Sequence, residues 1–288
     1  MNSVPSVGSP SGVEVPAGAC DCHVHVFGPY ADYPLAEARS YTPPEATAAQ
    51  LMSMLGAQGL QRAVLVQPSA YGQDHAALCA ALLRHPERLR GVAVVGADVD
   101  VTELQRLRAL GVRAARFTET GESAGRRFTG AVGFDQLRAL APRLLAAGWH
   151  AQLWGAGEAL TAALPGLLEL GVPLVLDHLG MLDAGRGLAD PWFQRLLREL
   201  AAGRIWVKVS PQRVSRAWPG YGDVRPLVAA MVEAGPRQLV WASDWPFLRM
   251  GERTPEPGAL LRWFAEVVAD DAVRVAILRD NAARLYGF

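Results

Sequence analysis

The sequence predicts a single-domain (β/α)8 barrel of the TIM type. Three observations carry this expectation. Eight short apolar runs alternate with amphipathic helical patterns. The polar residues able to do chemistry cluster at the C-terminal ends of those runs, where barrels of this kind carry their sites. No glycine-rich phosphate turn follows the first run, as the competing doubly wound sheet would favour. The chain has 288 residues and is 50% hydrophobic, enough to bury one large core.

Strands are expected at 19–25, 62–67, 91–95, 112–117, 149–154, 172–178, 205–210 and 239–244. Each is a run rich in Val, Leu, Ile, Ala or Trp, short enough for a strand and bounded by turn residues. Helices are expected near 46–58, 73–85, 101–110, 134–147, 157–170, 190–202, 223–235 and 258–268, with a further helical stretch at 270–286. Gly111, Gly148, Gly171 and Gly203 stand where a helix can stop before the next strand. Residues 1–17 are rich in Ser, Pro, Gly and Val and lack a basic start and an apolar segment. They read as a flexible arm rather than a signal peptide, with the barrel spanning 18–288.

Composition narrows the function. Lys plus Arg number 28 and Asp plus Glu 28, so the net charge is zero. The arginines are spread along the chain, which argues against nucleic-acid or anionic-membrane partners. Cys20, Cys22 and Cys79 cannot form a closed disulfide framework and include no CxxC pair, so a reduced, cytoplasmic protein is expected. No apolar run reaches the ~18 residues of a membrane span.

The most informative segment is Asp21-Cys22-His23-Val24-His25-Val26-Phe27-Gly28. On a regular strand His23 and His25 leave the same face, about 7 Å apart. Two imidazoles aimed into one volume must ligate, hydrogen-bond or catalyse to offset their burial. The barrel reading brings to the same mouth Gln67, Arg116, His178, Ser210 and Asp244, each near the end of its own strand. The stretches 26–45, 118–133, 211–222 and 245–257 follow strand ends and carry Tyr30, Tyr33, Tyr41, Arg126, Arg127, Arg213, Trp218, Tyr221 and Arg249. Arginines and aromatics together suit a planar, anionic small molecule. By alternation Cys22 is expected to pack outward. Lys208, on the face of Ser210, is expected to pair with an inward carboxylate such as Asp21 rather than to form a Schiff base.

The HxH pair, Asp177-His178-Leu179-Gly180 and Ser243-Asp244-Trp245-Pro246 together resemble the amidohydrolase superfamily. Asp21 to Pro29, followed by Tyr41-Thr42-Pro43, and the C-terminal Asp280 to Tyr286 are similar to its lactone-hydrolysing branch, the 2-pyrone-4,6-dicarboxylate lactonases above all. The resemblance covers about 19–288. It implies a hydrolase opening a carboxylated lactone. Asp244 would be the base and then the acid, and His178, His23 and His25 would polarise the carbonyl. Arg116 and Arg213 match positions that hold substrate carboxylates, and Arg126 or Arg127 is expected to supply a third cation. Tyr41, Trp154 and Gln67 are expected to face the substrate. Met181 stands where the branch has an arginine, which leaves a monocarboxylated or sugar lactone open.

Members of the superfamily with two metals need a bridging Lys or Glu on strand four and a His ending strand five. Here those strands end in Arg116-Phe117 and Leu153-Trp154, while His150 begins strand five and is expected to be structural. A two-metal centre is therefore not expected, and the resemblance implies that no metal is required. The alternative is one divalent ion such as Zn²⁺ on His23, His25, His178 and Asp244. Two other functions stay open: a metal-dependent decarboxylase of the same superfamily, and a non-catalytic barrel that binds small acids. Asp244 opposite three histidines speaks against the last, since a binder needs no base.

Overall fold

The structure is a computed structural model that describes residues 12–121 and 126–288; of the expected arm, 1–11 lie outside the described residues. Eight parallel strands form one sheet in the order of the sequence: β1 (Cys20–Val24), β2 (Arg62–Val66), β3 (Leu89–Ala93), β4 (Val112–Glu119), β5 (His150–Gly155), β6 (Leu174–Leu176), β7 (Ile205–Val209) and β8 (Leu239–Trp241). The helices that cover it are α1 (Ala48–Ala57), α2 (Ala76–Arg84), α3 (Val101–Ala109), α4 (Phe134–Ala147), α5 (Gly157–Leu168), α6 (Pro191–Ala201), α7 (Arg225–Ala234) and α8 (Pro257–Val267). The expected stretch at 270–286 is not one α-helix. It is α9 (Asp271–Val275), a π-helical turn at Ala276–Asp280, and α10 (Asn281–Tyr286).

Local chemistry explains the boundaries. Thr47 and Gln50 form a reciprocal capping box at the start of α1. Asp100 caps α3 by accepting from Glu103 N at 2.6 Å. Gly148 ends α4 in the left-handed conformation, φ 63°, and so turns the chain directly into β5. Alternate strand residues divide into two layers. Ala63, Leu65, Ala115 and Leu239 pack outward in the main core with helix leucines such as Leu51, Leu137 and Leu196. Val64, Val66, Val92, Ala114 and Val240 fill the barrel interior.

The sheet closes between β1 and the segment that follows β8. Asp244 N donates to His23 O and His25 N to Trp245 O, each at 2.9 Å. Ser243 N donates to Asp21 Oδ1, also at 2.9 Å. A side chain thus stands in for a ladder carbonyl at the seam. Burial pushes the Asp21 carboxyl up to about 7.

β1 itself is irregular. Asp21 pairs with Ala63 and Val24 with Leu65, so three steps on β1 oppose two on β2. This bulge corrects the expectation for Cys22. The thiol packs with the interior valines, not outward, while His23 still reaches the mouth. β6 and β8 are also shorter than expected, three residues each. After β6 the chain enters a left-handed run, His178 at φ 49°, Leu179 at 54°, Gly180 at 65° and Met181 at 51°. After β8, Asp244 takes φ 63°. Non-glycine residues reach this region only at an energetic cost met by their surroundings.

The far end of the barrel is plugged by α10. Ala282 and Tyr286 join the interior cluster, and Asn281 Nδ2 donates to the carbonyls of Pro236 and Leu239 at 2.8 Å each. Arg284 lies over the Trp206 ring at 4.9 Å. His150 begins β5 at this end, its ring 5.1 Å from Tyr286, as the structural reading expects. Among the described residues no helix is long and apolar enough to cross a membrane.

Tyr286 is fully buried and its hydroxyl has no hydrogen-bond partner. Tyr286→Ala should cost about 3–5 kcal/mol in a denaturant titration, as for other large aromatic deletions. Tyr286→Phe should leave stability unchanged or raised, because it removes only an unpaired polar group. A Phe variant as unstable as the Ala variant would show the hydroxyl to be partnered in solution.

Candidate active site

At the C-terminal mouth of the strands lies a cavity of about 300 Å³. His25, His178, Asp244, Arg116, Arg213, Tyr41, Trp154 and Gln67 all line it, as expected from the sequence. His23 stands directly behind, fully buried. Its Nε2 lies 3.3 Å from His25 Nε2. Asp244 Oδ1 lies 3.5 Å from His25 Nε2 and 3.7 Å from His23 Nε2. His25 Nδ1 sits 2.7 Å from Val66 O. A carbonyl only accepts, so this nitrogen carries the proton. His178 Nδ1 is 2.9 Å from Ser210 Oγ.

Beneath the histidines lies a buried charge cluster centred on Asp177. Arg116 Nη2 donates to Asp177 Oδ2 at 3.3 Å, and Gln152 Nε2 donates to the same oxygen at 3.1 Å. Lys208 Nζ lies 3.3 Å from Asp177 Oδ1, donates to Gln152 Oε1 at 2.6 Å, and is 3.2 Å from His23 Nδ1. The expected partner of Lys208, Asp21, is instead spent on the seam backbone. Burial alone would raise the Asp177 carboxyl, but Lys208, His23 and Arg116 outweigh it and hold the group well below the usual range. Burial opposes ionisation of Asp244 too, and there Arg213, His178 and His25 prevail. Arg213 Nε donates to Asp244 Oδ2 and its Nη1 to Leu248 O at 3.0 Å. Burial, and then the Lys208 charge, hold His23 well below the ordinary imidazole value.

Two expectations need correction. Arg126 is exposed, and neither it nor Arg127 lines the cavity; Arg127 points outward to Asp135 at 2.7 Å and Glu119 at 3.6 Å. Loop composition favours them, but Phe128 turns inward, stacking on Trp154 at 5.7 Å. The third cation in the wall is Arg249, its guanidinium 5.4 Å over the Phe128 ring. Met181 lines a separate outer groove with Gly157 and Trp192, so it takes no cation away from this wall. Gln67 does line the cavity, but its amide donates to Asp74 O at 2.6 Å and so holds the following loop.

Sequence reasoning missed Gln152, Asp177 as a charge centre, and Phe128. Strict alternation from Trp154 would have placed Gln152 inward. Asp177 was visible only as the neighbour of His178. Phe128 sits on a loop, where no periodicity marks it.

The donor atoms of His23, His25 and Asp244 are separated by 3.3, 3.5 and 3.7 Å. A tetrahedral zinc with bonds near 2.05 Å sets its ligand atoms about 3.3 Å apart. These residues therefore fit one metal ion by distance. Their charge surroundings are less favourable. The carboxylates of Asp177 and Asp244 already face Lys208, Arg116 and Arg213.

The sequence profile of the amidohydrolase family matches residues 20–288. A 4-sulfomuconolactone hydrolase from Rhizobium radiobacter is 32% identical over 97% of this chain and 93% of its own. A 2-pyrone-4,6-dicarboxylate hydrolase from Comamonas testosteroni is 32% identical over 95% of this chain and 91% of its own. A crystal structure of a probable 2-pyrone-4,6-dicarboxylic acid hydrolase from Acinetobacter baumannii, with citric acid bound, superposes with a TM-score of 0.80 at 29% identity, covering 94% of this chain and all of that one.

Burial lowers His178 to about 4 and His150 to about 3, against 6.5 for a free imidazole. Both are neutral when folded and take up protons more readily when unfolded. Their contribution to stability is complete above about pH 6.5 and is lost as pH falls toward their folded values. The melting temperature should therefore decline on acidification from about pH 6.5 to 4. His150→Leu should flatten that decline; an unchanged slope would mean His150 is not buried neutral.

Proposed function

The chain belongs to the amidohydrolase family, and on that footing we propose that it hydrolyses a small lactone bearing two anionic groups. The observation that carries this reading is one 300 Å³ cavity holding Arg116, Arg213 and Arg249 together with His25, His178 and Asp244. Three guanidiniums are more than one carboxylate needs. The aromatic pair Phe128 and Trp154 supplies a flat wall for a ring. The curated relatives named for dianionic lactones, and the relative that binds citric acid, support the same ligand chemistry.

The arginines hold the acid groups and so orient the lactone carbonyl toward the histidines. With the Ser210 hydroxyl donating to Nδ1, the His178 proton sits on Nε2 and faces the carbonyl oxygen. It stabilises the oxyanion that forms when water attacks. Asp244 takes the proton of that water. As the tetrahedral intermediate collapses, the ring C–O bond breaks and Asp244 returns the proton to the leaving oxygen. Arg213 keeps Asp244 ionised before substrate arrives. A substrate carboxylate competing for the same guanidinium loosens that pair and makes Asp244 a stronger base only in the complex.

His23, His25 and Asp244 would hold one divalent ion, which would supply Lewis-acid polarisation of the carbonyl. The proposed chemistry does not need it. The buried Lys208 and Arg116 and the half-buried Arg213 already face the two ionised carboxylates, so a further double charge is electrostatically unfavourable. The same balance disfavours the decarboxylase alternative, which depends on such an ion. The expected setting is the reduced cytoplasm, where Cys20, Cys22 and Cys79 stay as the free thiols observed.

Purified protein should open 2-pyrone-4,6-dicarboxylate or 4-sulfomuconolactone, followed by loss of the ring absorbance. Asp244→Asn should lower kcat at least ~100-fold, the usual scale of general-base effects. Near-normal kcat in that variant would remove Asp244 from the mechanism. Arg249→Met should raise KM for a dianionic lactone far more than for a neutral one of equal size. Equal effects on both would make Arg249 a wall residue only.

A further inference from the structure

Asp244 holds its position against the preference of its own backbone. Its φ of 63° lies in the left-handed region, which a residue other than glycine keeps only when neighbouring contacts impose it. Such contacts converge on the peptide that joins it to Ser243. The N–H of that peptide donates to His23 O at 2.9 Å, as part of the seam that closes the sheet. Its carbonyl, Ser243 O, accepts from Gln212 Nε2 at 2.6 Å. Both polar ends of one peptide are held, the second by a side chain from another loop.

Packing alone does not explain a glutamine here. Gln212 lies in the short turn Pro211–Arg213 after β7, is 2% exposed, and does not line the cavity. Its other amide atom, Oε1, is buried with no hydrogen-bond partner among the described residues. A buried acceptor left unpaired is destabilising. Turning the amide over would not mend this, because it would set Oε1 against the Ser243 carbonyl, acceptor against acceptor. The side chain thus leaves one polar atom unsatisfied in order to hold Ser243 O with the other. A methionine would fill a similar volume without that penalty. The same stretch supports the site twice more. Ser210, just before the turn, pairs with His178 Nδ1 at 2.9 Å, and Arg213, its last residue, donates to the Asp244 carboxylate.

We propose that Gln212 is a positioning residue for the general base: it clamps the Ser243–Asp244 peptide and so aims the Asp244 carboxylate at the histidines. The inference rests on the reading of Asp244 as the base given above. The direction of the Asp244 side chain is set by φ, the rotation measured from the plane of that peptide. With the carbonyl released the plane is free to turn, and the residue relaxes toward the extended region open to any side chain. The carboxylate then leaves the place where it meets His25 Nε2 at 3.5 Å. Gln212 itself stays behind the wall and acts only through Asp244.

The test is steady-state kinetics of Gln212→Met, alone and combined with Asp244→Asn, on the dianionic lactones named above. A small displacement of a reacting group can cost on the order of 100-fold, so kcat of Gln212→Met should fall about 10–100-fold. KM should stay within about 2-fold, since the cavity wall is intact. On the Asp244→Asn background the same change should be silent in kcat, because no base is left to aim. Normal kcat in Gln212→Met, or an equal loss on both backgrounds, would overturn the role of Gln212 and leave Asp244 as the base. Near-normal kcat in Asp244→Asn alone would remove the base, and this proposal with it. Crystal structures of wild type and Gln212→Met give a readout that needs no substrate. The variant should show the Asp244 carboxylate moved away from His25, and an unmoved carboxylate would refute the clamp. Gln212→Asn, whose amide is one methylene too short to reach Ser243 O, replaces a Met variant that does not fold.

Discussion

A single buried carboxylate, Asp177, sets the terms for the rest of this site. It follows β6 and is fully buried, as are Lys208 on β7 and Gln152 on β5. Arg116 on β4 joins it at 3.3 Å and His23 on β1 at 3.2 Å. An unpaired charge at this depth would be severely destabilising, whereas a paired and hydrogen-bonded one is tolerated. Five strands are thereby held in one register at the level of the mouth. The histidines stand on this platform, so their orientations follow from charge pairing below them rather than from contacts within the cavity.

The division of labour along the barrel axis has the same origin. The interior below the platform is apolar, packed with valines and closed by Tyr286. The mouth above it is polar and receives its reactive groups from residues just past the strand ends. His178 and Asp244 both sit at positive φ, where regular strand geometry has been abandoned. Such strain concentrates at functional positions, where neighbouring contacts fix what the backbone alone would not choose. Asp244 is pinned by its own N–H to His23 O and by Arg213 on its carboxylate.

Much of this was legible in the sequence because periodicity and strand ends are local signals. All eight strands and the helices after them lie where apolar runs and amphipathic patterns place them. His23, His25, His178 and Asp244 converge because each lies at or just past the C-terminal end of a strand. Other features were not legible because they depend on partners far along the chain. The inward packing of Cys22 follows from a bulge that only the pairing with β2 reveals. The choice of Asp177 over Asp21 for Lys208 depends on which carboxylate the seam backbone consumes. The error over Arg126 and Arg127 arose on a loop, where composition is informative but direction is not. There Phe128 turns inward, and the third cation comes from Arg249 on a different loop.

The seam between β1 and β8 ties the order of folding to the appearance of activity. The bond from Ser243 N to Asp21 joins residues 222 positions apart. Contacts of such separation form late, because the entropy of closing the intervening chain must first be overcome. The seam's own hydrogen bonds are also those that bring Asp244 against His23 and His25. A barrel still open at this edge, with every other strand pair formed, has its base and its histidines on opposite margins of a gap. Lactone turnover during refolding therefore reports ring closure itself, lagging behind the recovery of helical signal.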